Sequence, residues 1–120
     1  MVLIYRTDLL PAGVSLEAAL KALQQPCRVV NNTEYTLPLG VLASGQELQT
    51  AGLPSGEIEE PMLVFCGFDG DSVSHVLKQL RSLGAPSVAL KAVLTPINSR
   101  WTSLQLYQEL KKEHAFFHKQ

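Results

Sequence analysis

Met62-Leu63-Val64-Phe65-Cys66 is an uninterrupted apolar run, a pattern that suits a strand buried on both faces or in the centre of a sheet. Val2 to Arg6 is a second run of β-branched and aromatic residues, ended by the turn-like Leu9-Leu10-Pro11-Ala12-Gly13. Each run leads into a helix. Ser15 can cap the first, whose apolar positions Leu16, Ala19, Leu20 and Leu23 follow a 3.6-residue period up to Pro26. After Gly67-Phe68-Asp69-Gly70, Asp71 is the expected cap of the second, whose stripe of Val73, Val76, Leu77, Leu80 and Leu83 closes at Gly84 and Pro86.

Two weaker strands follow. Cys27 to Asn31 has polar ends. Val88, Leu90, Ala92 and Leu94 alternate with Ala89, Lys91 and Val93, placing a charge at mid-strand as at a sheet edge. Capping boxes are expected at Ser44-Gly45-Gln46-Glu47, opening a short helix from about residue 45 to Ala51, and at Thr102-Ser103-Leu104-Gln105, opening a helix with Leu106, Leu110 and Phe117 on one face. Gly52 to Pro61, rich in breakers and glutamates, reads as the joint between two halves of a single domain, 1–56 and 61–118.

The halves invite superposition. Leu20-Lys21-Ala22-Leu23 matches Leu77-Lys78-Gln79-Leu80 at an offset of 57, Thr36-Leu37-Pro38 matches Leu94-Thr95-Pro96 at 58, and Ser44 and Thr102 also differ by 58. Ordered matches of this kind point to two pseudo-repeated β-α-β-α units. With the strong strands central and the half-polar ones outside, the expected fold is α+β: a ferredoxin-like βαββαβ sandwich with strand order 4-1-3-2 and an extra helix after each edge strand. The alternative is a four-stranded parallel α/β sheet, against which stands the short connection at 45–51.

Composition limits the function. The 120 residues suit one domain, and a net charge of −1, from ten basic and eleven acidic residues, provides no field for nucleic acid or anionic lipid. No apolar stretch is long enough to span a bilayer, and the opening residues lack the basic n-region and long h-region of a signal peptide, so a cytoplasmic location is expected. Cys27 and Cys66 have no metal or redox spacing and read as reduced thiols in or near the core. Asp69, Asp71 and His75 fit helix capping beside a solvated histidine better than metal ligation. No phosphate-loop, dinucleotide, zincin or nucleophile-elbow motif occurs, and no cofactor or metal is expected.

The most suggestive segment is Thr95-Pro96-Ile97-Asn98-Ser99-Arg100-Trp101-Thr102, which sets an amide, a guanidinium and the single tryptophan beside a helix N-terminus. Its plainer reading is a strand-to-helix connection, with Trp101 at N′ stapled to Leu106 at N4. Met62 to Phe68, Leu90 to Thr102 and Glu109-Leu110-Lys111-Lys112-Glu113-His114 together resemble a small bacterial family, the domain of unknown function 3783, over residues 61–115. The resemblance implies a compact bacterial domain, brings no activity, and directs attention to Lys91, Thr95, Asn98, Trp101 and His114. The residues thus point to a non-enzymatic binding or regulatory module using Lys91, Thr95, Asn98, Arg100, Trp101 and His114. Its partner would be a protein or a small anionic ligand, and homodimerisation through sheet edges or faces is open to such a fold. The alternative is a small enzyme with a site around Lys91, Asn98 and His114.

Overall fold

In the computed structural model, which describes residues 1–11, 13–45 and 56–118 with the side chains of 114–118 apart, the two apolar runs form adjacent strands. β1 (Val2–Tyr5) pairs antiparallel with β3 (Met62–Phe65), and every residue of both is buried. Pleating sends successive side chains to opposite faces. Val2, Ile4, Leu63 and Phe65 pack with α1 (Leu16–Ala22) and α3 (Gly70–Ser82). Leu3, Tyr5, Met62 and Val64 pack with α2 (Leu39–Ala43) and α4 (Ser103–His118). The result is a sheet covered by helices on both sides, which is why neither strand alternates with polar residues.

β2 (Cys27–Val29) and β4 (Leu90–Val93) are the outer strands, as their polar residues require. The pairing departs from the ferredoxin-like expectation. β2 lies parallel to β1 and β4 parallel to β3, giving the order β2-β1-β3-β4 in a mixed sheet. The purely parallel alternative fails at the centre, because β1 and β3 are antiparallel. Residues 6–26 and 66–89 are both longer than the roughly dozen residues that a parallel crossover needs, so each outer strand can return beside its own partner. A ferredoxin-like order would instead bring β2 next to β3. Here the segment between them carries a 3-10 turn, Asn32–Glu34, and α2 over the opposite face.

Local boundaries moved for specific reasons. Ser44 ends α2 instead of starting a helix: its backbone is helical (φ −70°, ψ −15°) and its hydroxyl donates to the Val41 carbonyl at 2.6 Å. The rest of the helix expected at 45–51 falls outside the described residues. Asp69, two residues before the expected Asp71, caps α3. It accepts from the Ser72 amide at 2.7 Å while the Ser72 hydroxyl receives the Asp69 amide at 2.9 Å, and the hydrogen bonds that the carboxylate takes from Ser72, the backbone one first, hold the Asp69 pKa below its ordinary value. The box at Thr102 stands: Thr102 N–H donates to Gln105 Oε1 at 2.8 Å and Gln105 N–H to Thr102 Oγ1 at 3.2 Å.

The ends of α1 and α3 also correct the offset of 57. Gln25 N–H donates to Leu20 C=O and Gln24 N–H to Lys21 C=O; Ala85 N–H donates to Leu80 C=O and Gly84 N–H to Arg81 C=O. Both are Schellman endings followed by proline, and their residues stand 60 apart, Leu20 to Pro26 against Leu80 to Pro86. The left-handed position is Gln24 (φ 58°) in one and Gly84 (φ 76°) in the other. Only glycine takes that conformation without penalty. Gln24→Gly is therefore expected to raise the unfolding free energy by about 1 kcal/mol and Gly84→Gln to lower it by a similar amount, measured by urea unfolding. A loss of stability in Gln24→Gly would contradict the cap assignment.

Candidate functional site

The loop singled out in the sequence proves to be bonded to itself. Asn98 is buried; its Oδ1 accepts the Thr95 amide at 2.7 Å and its Nδ2 donates to the Val93 carbonyl at 3.0 Å, while the Asn98 amide donates to Thr95 Oγ1 at 3.0 Å. These bonds leave the Asn98 side-chain amide committed to holding the turn from β4 to the 3-10 turn Asn98–Arg100. Trp101 packs half-buried against the cluster that contains Leu106, as a staple would, and lines a shallow cavity of about 230 Å³ with Gln105, Gln108 and Glu109. Arg100 is exposed.

Lys91 lies elsewhere. It is registered with Leu63 and lines a cavity of about 150 Å³ on the α1/α3 side, where its Nζ donates to the Val88 carbonyl at 2.5 Å. Trp101 belongs to the α2/α4 side, so the sheet separates the two. The His114 side chain is outside the described residues. Among the described residues no group of three or more histidine, cysteine, aspartate or glutamate side chains could hold a metal, and both thiols are free, with burial raising the pKa of each.

A roomier cavity, of about 440 Å³, opens in the first half where β1 and β2 end together. The C-terminal ends of neighbouring parallel strands are a recurrent place for ligands, because the loops leaving them diverge and open a crevice. Its walls are Arg6, Thr7 and Asp8 after β1, Val29 to Asn32 at the end of β2, Tyr35, and Gly56 to Ile58. Asn31 and Asn32 are exposed there. Tyr35 is almost wholly buried, its ring 5.9 Å from that of Tyr5. Burial raises its pKa, so at neutral pH it is a protonated donor; among the described residues its hydroxyl has no hydrogen-bond partner.

Arg6 is the most constrained member. It follows the strand directly in the left-handed region (φ 53°, ψ 43°), a conformation that costs a side-chain-bearing residue roughly 1–2 kcal/mol. Nη1 donates to the Ile58 carbonyl at 2.8 Å, and Nε and Nη2 each reach an Asp8 oxygen at 3.0 Å. The Asp8 hydrogen bonds raise the Arg6 pKa, and those from Arg6 lower that of Asp8. The corresponding position of the second half is Gly67 (φ 81°), since Val30 N–H bonds Ile4 where Leu94 N–H bonds Phe65 and the left-handed residue comes two places later in each. A motif search passes over Arg6, because it comes near Asn31 and Asn32 only through the pairing of β1 with β2.

Arg28 pairs with Glu34 and donates to the Leu42 carbonyl at 2.9 Å, while Glu34 Oε1 accepts the amide of Asn31, a lining residue of the cavity, at 3.1 Å. This chain of bonds ties outer strand, 3-10 turn and α2 into one wall.

The chain is thus an α+β protein, a mixed four-stranded sheet between helices, with a polar cavity at one end. Residues 61–117 match the family described as Domain of unknown function (DUF3783). That match covers β3 to α4 and none of the residues lining the 440 Å³ cavity. Comparison with curated proteins and with solved structures returns no match. Among the described residues no helix is long and apolar enough to cross a membrane.

The loop geometry carries a consequence for stability. Asn98→Ala strands the Thr95 amide and the Val93 carbonyl and is expected to cost about 1–3 kcal/mol, whereas Arg100→Ala at the exposed neighbouring position should stay within about 0.5 kcal/mol of wild type. Chemical denaturation of both variants checks the pair; an innocuous Asn98→Ala would mean that the amide is kept for something other than the turn.

Proposed function

We propose that the chain is a small-ligand binding module and that the cavity between β1 and β2 is its site. The observation that carries this reading is the pairing of a 440 Å³ polar cavity with Arg6 held left-handed on its wall. Strained residues persist where the surrounding structure over-determines them, and they cluster at ligand sites. The volume lies within the range of small-molecule pockets. Tyr35, Asn31 and Asn32 add neutral donors and acceptors of the kind that orient a ligand.

The second half enters this reading as a counterpart. Its helix ending, its left-handed residue and its Asn98-Ser99-Arg100-Trp101-Thr102 segment, set against Asn32-Thr33-Glu34-Tyr35-Thr36 at an offset of 66, support descent of the two halves from one βαβα unit. On this view the second half completes the sheet and the first carries the site.

Amide chemical shifts of the labelled chain, followed while nucleotides, sugar phosphates, carboxylates, amines and neutral sugars are added in turn, test the assignment. Perturbations are expected to cluster at 6–8, 29–35 and 56–58. Clustering at 95–102 would move the site to the tryptophan loop, and a spectrum unmoved by the whole panel would remove the binding role.

A further inference from the structure

Resting on the reading of the cavity as a binding site, the arrangement of Arg6 goes further and specifies what kind of group the site accepts. The guanidinium has two edges in use. One anchors to the fold through Nη1 and the Ile58 carbonyl at 2.8 Å. The other presents Nε and Nη2 side by side, the fork with which arginine takes a carboxylate or phosphate in two parallel hydrogen bonds. That fork is filled by Asp8, with both oxygens at 3.0 Å.

Asp8 is an odd permanent partner. Its side chain is 63% exposed, against 33% for Arg6, and it sits on the 3-10 turn Thr7–Leu9, which has no side-chain cap and no buried residue. An ion pair so exposed adds little to stability. The backbone of Arg6, by contrast, is held at a cost that glycine in the same place, as at Gly67, would avoid. A strained backbone that serves only a weak surface pair is poorly explained. It is explained if the fork is the useful object.

We infer that Asp8 is a built-in stand-in for the oxyanion of a small carboxylate- or phosphate-bearing ligand, which binds by displacing Asp8 from the Nε/Nη2 edge of Arg6. Asp8 then shields the guanidinium in the empty protein and swings into solvent when ligand arrives. Glu57 also lines the cavity, so a ligand that turns its anionic group to Arg6 and an uncharged part toward Glu57 meets the least repulsion. The Tyr35 hydroxyl, with Arg6 and Asp8 in electrostatic reach, is the neutral donor nearest in kind to what such a ligand needs.

The test compares succinate, inorganic phosphate and putrescine, titrated into wild type, Asp8→Asn and Arg6→Gly and read from the amide shifts. Succinate or phosphate is expected to move residues 6–8, 31–32 and 56–58, and putrescine to leave them in place. Asp8→Asn, which keeps the shape of the side chain but weakens its hold on the fork, should tighten anion binding by about threefold or more. Arg6→Gly suits the left-handed backbone and should abolish it. Should Arg6→Gly lose its dispersed spectrum, Arg6→Lys takes its place, with charge kept, fork removed and binding weakened several-fold. Unchanged affinity in Asp8→Asn overturns the stand-in role. Putrescine bound in place of the anions overturns the ligand class while the cavity keeps its binding role. Silence toward both anions also overturns the inference, and the neutral and cationic members of the wider panel then decide separately whether the cavity binds anything.

Discussion

The antiparallel pairing of β1 with β3 is the constraint on which the rest of the molecule depends. Val2 faces Phe65, Leu3 faces Val64, Ile4 faces Leu63 and Tyr5 faces Met62, so side chains directed to the same face stand opposite one another and each face becomes a continuous apolar strip. A slip of one residue would send each side chain of one strand to the wrong face. Because the two strips are both apolar, helices are required on both sides, and the chain supplies them alternately: the first helix of each half to one face, the second to the other. Burial at the seam also demands satisfied polar groups. The Tyr5 hydroxyl, whose pKa is raised chiefly by burial, meets Ser103 Oγ at 2.7 Å and so fastens the first strand to the first turn of α4.

The same pairing places the ends of the sheet. Since the central strands run in opposite directions, the C-terminal end of the β1/β2 pair and that of the β3/β4 pair lie at opposite ends of the sheet. The cavity opens at the first and the Thr95 turn leaves from the second. The helical connections then meet across the α2/α4 face, where the Leu39 amide donates to the Trp101 carbonyl at 2.9 Å and the Leu104 amide to Tyr35 at 3.4 Å. Gly40 allows this approach: a Cβ there would stand 3.3 Å from the Ser99 carbonyl oxygen.

What could be read from the sequence followed from how local the physics was. The central strands, the amphipathic stripe of α3, the Thr102 box and the outer position of the Lys91 strand are decided by hydrophobic periodicity and capping, which neighbouring residues express directly. Strand order is different. It depends on which side each crossover returns to, and the β-α-β pattern of ferredoxin-like and adjacent-parallel folds is the same up to that choice. The Ser44 box misled because serine and glutamate at capping spacing also suit a helix end, where Ser44 bonds back to Val41. Leu39–Ala43, apolar and short, carries no period to betray it. The cavity was least legible of all, since Arg6, Asn31, Asn32, Tyr35 and Glu57 have no fixed spacing and meet only after β2 lies beside β1.

The two halves carry unequal residues at matching places. The positions after the central strands require the left-handed region in both; the second half meets the requirement with Gly67 and the first with Arg6. Glycine satisfies backbone geometry alone. Arginine satisfies it at a cost and brings a side chain that reaches Ile58 and Asp8. The outer strands differ in the same sense, with Arg28 bound to Glu34 and Leu42 where the equivalent stretch of β4 carries Ala92. Charged and polar side chains thus gather at the β1/β2 end, while Asn98 and Thr95, polar residues of the matching loop, are consumed by their own turn. The family match covers β3 to α4, whose loop polar groups serve the turn, while the residues lining the 440 Å³ cavity lie outside it.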